Sequence, residues 1–300
     1  MIYTLSSDAF AGVLKAPKVT GLSPLFRAKI RVNGDSVRCY VKPLPDMLDC
    51  PVRRTPVDNQ EVISEALGYV LAKACGFKVP TIAGIILLEQ EQIPESALAG
   101  LRSLGRGRLQ PNYFCWFTKD MVYPNLVQKH MQGVQLEFLK QRRLRRLVKH
   151  LAEAEDTPKV VAFDDWLLNS DRHPGNLLAS NGNLMLIDHG RIFVYPNWQP
   201  GAIGSLGSGH QPGNRLRNFI DSYEPNWSAK LPKKSQMIMA YNAFAVGFRD
   251  RGEGARAPCW LSSSTTSIST LSSTCCNRGM TQQHTPKNPA WSYEQSCKTT

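Results

Sequence analysis

The chain has 300 residues and a formal net charge of +12, from 36 Lys and Arg against 24 Asp and Glu. Its hydrophobic content of 42% is enough to build a core, which excludes a globally disordered chain and allows one large domain or two lobes. A basic protein of this size favours acidic partners such as nucleotides, nucleic acid or an anionic surface, although an ordinary protein with one basic face has the same composition.

Targeting and redox signals are weak along the chain. The first eight residues lack a basic region followed by an apolar run, and the longest apolar run, residues 82–88, is far too short to cross a membrane. The eight cysteines form no Cys-x-x-Cys pair, so no zinc site is indicated. Cys75 and Cys115 lie in apolar surroundings that are typical of reduced core thiols. We therefore expect a cytoplasmic protein without a secretory signal or a membrane span.

Strand patterns dominate the first 120 residues. The turn Asn33-Gly34 separates two alternating segments, and the second of these ends at Lys42. Apolar residues at helical spacing then precede Gly76, which lies where a helix would end. The predicted elements are strands at 25–32 and 37–41, a loop at 45–59, a helix at 61–75, a strand at 81–89, a loop at 94–110 with a short helix at 95–102, and a strand at 113–117.

Helical periodicity replaces this pattern after residue 120. One long helix has leucines along one face and basic residues at most positions between 140 and 149. A second helix begins at Asp156 or Thr157, with Pro158 in its first turn, and ends near Leu168. A hairpin around Asn181-Gly182 follows it. The pattern predicts a bilobal α+β fold, with an N-terminal nucleotide-binding lobe at 1–121 and a helical catalytic lobe at 122–250.

The last 50 residues differ from the rest in composition. They contain two acidic residues, a Ser- and Thr-rich run and four of the eight cysteines, without hydrophobic periodicity. Such a segment buries too little apolar surface to offset its conformational entropy. We expect residues 251–300 to form a low-complexity, disordered tail, and an altered reading frame at the end of the gene is an open alternative.

The segment 169–190 contains three side chains at a spacing that Mg-ATP phosphotransferases use. Asp171 precedes Asn176 by five residues, as in a kinase catalytic loop, and Asp188 ends a short apolar strand two residues before Gly190. Alone, Asp188 would more often be a strand-end carboxylate. Together they predict Asp171 as the acceptor of the hydroxyl proton, and Asn176 and Asp188 as oxygen ligands of Mg²⁺.

Phosphate binding needs a cation, and Lys42 at the end of its strand is the candidate. Either Glu65 or Glu61, on the helix that follows, could hold this lysine. Gly21 and Ser23 precede the first long strand and could close over phosphates with backbone N–H groups, although an ordinary turn fits equally well. Arg172 and His173 belong to the predicted catalytic loop. His173 would orient the loop or contact a phosphate, and a purely structural histidine is the alternative.

These segments resemble the HipA-like kinases, within the protein-kinase-like superfamily that includes the phosphatidylinositol kinases. The catalytic run Phe163-Asp-Asp-Trp-Leu-Leu-Asn-Ser-Asp-Arg-His-Pro-Gly-Asn-Leu-Leu178 carries most of the resemblance. Ile187-Asp-His-Gly190 and Tyr40-Val-Lys-Pro43 are similar to the metal-binding element and the lysine strand. The segment from Glu61 to Pro80 resembles the helix that carries the lysine's acidic partner, and this resemblance favours Glu65 over Glu61 as that partner. The resemblance covers roughly residues 15–200.

The resemblance implies a bilobal protein-kinase-like fold that binds ATP and Mg²⁺ in its cleft and transfers the γ-phosphate to a Ser or Thr hydroxyl, on a protein or on itself. Some members of the family pair with a DNA-binding antitoxin, so an antitoxin-like partner stays open. The phosphate acceptor is not readable. Two alternatives remain: a lipid or small-molecule kinase, and a degenerate kinase that acts as a binding module. Contact with nucleic acid through the basic helix at 140–149 is open but not expected, because such helix faces are usually only solvated.

Overall fold

The computed structural model describes residues 1–15, 24–49, 55–105, 108–193, 195–198 and 213–252, with the backbone alone at 245 and 247–252. Gly21 and Ser23 lie outside the described residues, as does most of the predicted tail. Within the described part, no helix is long and apolar enough to cross a membrane.

The N-terminal part is built on a six-stranded sheet. Its strands lie in the order β1-β7-β8-β4-β3-β2, and every neighbouring pair is antiparallel except β1 and β7. A separate small hairpin joins β5 to β6. The strands are β1 Tyr3–Leu5, β2 Phe10–Val13, β3 Phe26–Val32, β4 Asp35–Leu44, β5 Met47–Asp49, β6 Pro56–Asp58, β7 Ala83–Glu89 and β8 Asn112–Lys119.

Alternation along the strands creates the core of this sheet. Phe26, Ala28, Ile30 and Val32 of β3 are all buried, while Lys29 between them is exposed. This is the period of two that a strand with one covered face requires. The apolar side of helix α2, Glu95–Leu104, packs on the same core.

The C-terminal part consists mostly of helices around a second core. Its elements are α3 Leu126–Met131, α4 Glu137–Glu153, α5 Thr157–Trp166, α6 Arg215–Asp221 and α7 Leu231–Gly252, with a hairpin of β9 Leu177–Ser180 and β10 Asn183–Leu186. Leucines of α4 and the apolar side of α5 are buried together in this core. The arrangement confirms the expected α+β class, with strands first and helices after them.

Helix α1, Glu61–Ala74, joins the two parts. Ala66 and Tyr69 are buried against Ala83 and Trp116 of the sheet, whereas Ala72 belongs to the helical core. The two parts also meet where the Leu186 N–H donates to the Lys78 carbonyl at 2.9 Å. The end of β10 is thereby held beside α1, which is where the predicted site residues gather.

Most predicted elements are present within two residues of their expected ends. The exceptions are β4, which ends three residues beyond the predicted 41, and the loop predicted at 45–59, which contains the two short strands β5 and β6. Strands of three residues contain too little alternation to be recognised, and Pro56 in β6 also argues against a strand. The domain boundaries at 121 and 250 stay a prediction.

Candidate active site

Lys42 lies at the centre of the candidate site. It is buried on β4, where it is paired with Trp116 of β8. Its Nζ lies 2.6 Å from Glu61 Oε1, 2.9 Å from Glu65 Oε1 and 3.0 Å from Asp188 Oδ1. Burial opposes the charged lysine, but the three carboxylates outweigh it and hold the pKa of Lys42 well above its ordinary value. The lysine is thus a fixed cation.

Helix α1 supplies two of the three carboxylates. Glu61 and Glu65 are four residues apart, so they lie on the same side of the helix and both reach Lys42. Within the described residues, Glu65 makes a further link, because its Oε2 accepts the N–H of His189 at 2.7 Å. Burial raises the pKa of Glu65, and Lys42 opposes that rise. The structure therefore brings together both glutamates between which the sequence left a choice.

Asp188 follows β10 and turns back towards the lysine. Its φ of 58° is in the left-handed region, which Asp tolerates better than most residues. Partial burial opposes its ionisation, but Lys42 outweighs burial through its charge and a hydrogen bond, so the pKa of Asp188 is lowered. Its side chain is 36% exposed, against 1% for Glu65. Asp188 is therefore an ionised carboxylate whose side chain stays partly accessible to a ligand.

Asp171 lies on the loop after α5 and is held from several sides. The Asp171 N–H donates to Asn169 Oδ1 at 3.1 Å, and Asn176 Nδ2 donates to the Asp171 carbonyl at 3.2 Å. Its carboxylate accepts a hydrogen bond from Arg215 through Oδ1, while Arg191 Nε lies 3.5 Å from Oδ2. Oδ2 is the less engaged oxygen, since 3.5 Å is beyond ordinary hydrogen-bond length.

Arg172, predicted to be catalytic, is fully buried below the loop. Its Nε lies 3.1 and 3.2 Å from the two carboxylate oxygens of Asp164, which is also fully buried, on α5. One Nη donates to the Ile187 carbonyl at 2.5 Å, and the other lies 3.0 Å from His189 Nδ1. These contacts fix the loop against the end of β10. The guanidinium is fully buried, and the catalytic role predicted for Arg172 stays a prediction.

His173 also contacts its own loop. Its Nδ1 accepts the N–H of Gly175 at 3.0 Å, and burial lowers its pKa, so the ring stays neutral at neutral pH. A Cβ at Gly175 would lie 2.6 Å from the ring, so this turn requires glycine. This backbone contact fits a histidine that orients the loop and equally a purely structural histidine, so the role of His173 stays a prediction.

Asn176 lies next to the segment that carries Asp188. Its backbone carbonyl accepts the N–H of Ile187 at 3.2 Å, one residue before Asp188. Its side chain is buried, and its Oδ1 accepts no hydrogen bond from the described part of the chain. An amide oxygen and the Asp188 carboxylate are hard ligands that suit Mg²⁺. Glu61 and Glu65 are further carboxylate candidates, because their oxygens and that of Asp188 lie within 4.8 Å of one another.

Three residues at the site escaped sequence reasoning. Asp164 follows the apolar run Val160–Phe163 of α5 and is next to Asp165, and an acidic residue at the end of a buried run could have indicated a buried, paired carboxylate. Arg191 and Arg215, which contact Asp171, come from later segments without a recognisable pattern. Gly21 and Ser23 lie outside the described residues, so their predicted contact with phosphate stays a prediction.

Comparison with known proteins gives little beyond this geometry. No protein-family model and no curated protein sequence matches the chain. Among solved structures, the chain is similar to the MAP kinase LmaMPK10 from Leishmania major at 12% identity and a TM-score of 0.29, over 89% of this chain and 77% of that one. This TM-score is too low for the likeness to support a function, so any assignment of function depends on the site itself.

Proposed function

We propose that this protein is a kinase that transfers the γ-phosphate of ATP, bound with Mg²⁺, to a hydroxyl group. One observation carries the proposal: Lys42 Nζ lies within 3.0 Å of both Glu65 and Asp188. The lysine comes from the sheet, the glutamate from α1 and the aspartate from the loop after β10. Kinases need this lysine–glutamate pair and the metal-binding Asp in place together.

Each predicted site residue in the described part of the chain has a role in this proposal. Lys42, held by Glu65, neutralises phosphate charge, while Asp188 and Asn176 hold Mg²⁺. The metal, when bound, neutralises the charge that develops on the phosphate oxygens. Asp171 accepts the proton of the attacking hydroxyl through Oδ2, the oxygen that Arg191 engages only at 3.5 Å. Arg172 and His173 hold the loop in shape.

The finer assignment is also a proposal. The catalytic run supports a HipA-like kinase that acts on Ser or Thr, in a protein or in itself, within the cytoplasm. A lipid or small-molecule kinase would use the same lysine, metal ligands and base, so these residues leave the acceptor open.

Two aspartate variants test the proposal through nucleotide turnover. Asp188→Asn should reduce Mg²⁺-dependent release of ADP from ATP by at least about a hundredfold, because it removes an anionic ligand of the metal. Asp171→Asn should reduce turnover by about 10²–10⁴, the usual contribution of a general base, and should leave the affinity for Mg-ADP nearly unchanged. Turnover and Mg-ADP binding are measured on the same preparations.

Asp35→Asn serves as the control, since Asp35 is exposed in the hairpin between β3 and β4. Its turnover should equal that of the wild type. If the Asp188 variant retains full turnover, the proposed function is wrong. If the wild type binds Mg-ADP but transfers no phosphate to protein, lipid or water, the site is a nucleotide sensor.

A further inference from the structure

Helix α4 has a second surface that the proposed kinase site does not use. Six exposed side chains lie along its outer face and line an open groove of about 520 Å³; they are Phe138, Gln141, Arg142, Arg145, Arg146 and Lys149. Their spacing of three and four residues puts them on one side of the helix. The opposite side, which includes Leu144 and Leu147, is buried in the helical core. We call these six residues the outer face of α4.

The positive charge of this face is not balanced within the described part of the chain. Lys149 lies 3.7 Å from Glu153, but Arg142, Arg145 and Arg146 form no ion pair with a described acidic residue. Like charges three or four residues apart on a helix repel one another. This repulsion slightly lowers the stability of α4, and a bound anionic partner would offset it.

The chemistry of the face favours phosphates. Arg forms bidentate hydrogen bonds with phosphate oxygens, and three of the four cations here are Arg. From Arg142 to Lys149 the helix rises by about 10 Å, at 1.5 Å per residue. Four cations spread over this length can contact several neighbouring phosphates of one strand.

An exposed aromatic ring lies at the N-terminal end of the same groove. Phe138 is 69% exposed, which is unusual for a phenylalanine in a folded protein. A positively charged groove with an aromatic platform is the combination that binds single-stranded nucleic acid, because the bases stack on the ring. A paired duplex has no free base to stack on Phe138.

We propose that the outer face of α4 binds single-stranded nucleic acid, with Arg142, Arg145 and Arg146 on phosphates and Phe138 stacked on a base. The proposal is independent of phosphoryl transfer, since none of these residues belongs to the candidate active site.

Fluorescence anisotropy of a labelled 20-nucleotide RNA, titrated with the full chain at several salt concentrations, tests the charge. The variant Arg142→Gln/Arg145→Gln/Arg146→Gln removes three phosphate contacts. The negative slope of log K against log salt should therefore become shallower by about 2, at about 0.7 per contact. It should weaken binding at least about tenfold at low salt. The control Lys29→Gln/Arg31→Gln/Arg38→Gln removes three exposed cations from the sheet and should change the slope far less.

Phe138→Ala separates stacking from charge. It should weaken binding about 5- to 150-fold, the range for one stacked base, without changing the salt slope. Both variants alter exposed positions, so the Phe138 variant should melt like the wild type and the arginine variant no lower than the wild type. Equal losses in the sheet control, equal affinity for the duplex of the same sequence, or binding to phosphatidylserine vesicles instead of RNA would each overturn the proposal.

Discussion

Lys42 has two glutamate neighbours, and they are not equivalent. Glu61 contacts the lysine with its carboxylate, whereas Glu65 also accepts the N–H of His189 and so holds the loop that carries Asp188. We expect Glu65→Gln to reduce kcat/KM for Mg-ATP by about 10- to 100-fold, because a charged hydrogen bond is worth about 1.5–3 kcal/mol. Glu61→Gln should stay within a few-fold of the wild type. Initial rates over a range of ATP concentrations measure both.

Gln is the matched change in both cases, since it keeps the size of the side chain and removes only its charge. A reversed order, with Glu61→Gln the more damaging variant, would show that Glu61 is the functional partner of the lysine and that Glu65 has a structural role.

Single residues were predictable where their spacing is local. Asp171, Asn176 and Asp188 lie within 18 residues, so their pattern was readable without knowing the fold. The burial of Arg172 was not, because it depends on Asp164 one helix earlier and on carbonyls at the end of β10. Polar side chains on loops take their environment from distant segments, and no local period encodes that environment.

At the scale of elements, periodicity was the decisive signal. Helix α1, helix α4 and the β3–β4 hairpin repeat their apolar positions often enough to be recognised. Helix α3 has six residues, and β1 has three and pairs with β7, some 80 residues later. Elements this short contain too few repeats to predict, and tertiary contacts rather than local propensity stabilise them.

Helix α1 packs so closely on the loop after β10 that a glycine is needed at the contact. A Cβ at Gly68 would lie 2.3 Å from the Cβ of His189. We therefore expect Gly68→Ala to lower the free energy of unfolding by about 1–3 kcal/mol, as overpacking does, although alanine normally stabilises a helix. Nucleotide turnover should fall as well, because His189 donates its N–H to Glu65.

Urea unfolding measures this effect, with Val70→Ala as the control on the same helix. Val70 is 42% exposed, so its truncation should change stability by no more than about 0.5 kcal/mol. A Gly68 variant as stable as the wild type would mean that α1 and the loop can separate without cost.

At the scale of the whole molecule, one ion-pair cluster connects segments 146 residues apart in the chain. Lys42 of the sheet meets Glu61 and Glu65 of α1 and Asp188 of the loop after β10. The sequence could order these segments, since the strand, the helix, the predicted catalytic loop and the predicted metal-binding loop follow one another along the chain. Their convergence on one nitrogen depends on how α1 packs between sheet and helices, which no local pattern specifies.

Lys42→Met should therefore destabilise the protein, and the loss should depend on pH. The variant removes the lysine but keeps three carboxylates whose oxygens lie within 4.8 Å of one another. Breaking a buried ion pair in this way costs about 3–5 kcal/mol. Without Lys42, burial and mutual repulsion raise the pKa of Glu65 and of Asp188 in the folded state above the unfolded value of about 4.

A carboxyl whose folded pKa is raised favours folding at low pH and loses that contribution as pH rises through the folded value. The difference in free energy of unfolding between Lys42→Met and the wild type should thus be largest near pH 8 and shrink towards pH 5. Urea unfolding at both pH values measures it, with Lys29→Met, an exposed change on β3, as the control. A difference that is constant with pH would show that the three carboxylates move apart once the lysine is gone, so that Lys42 assembles the cluster as well as neutralising it.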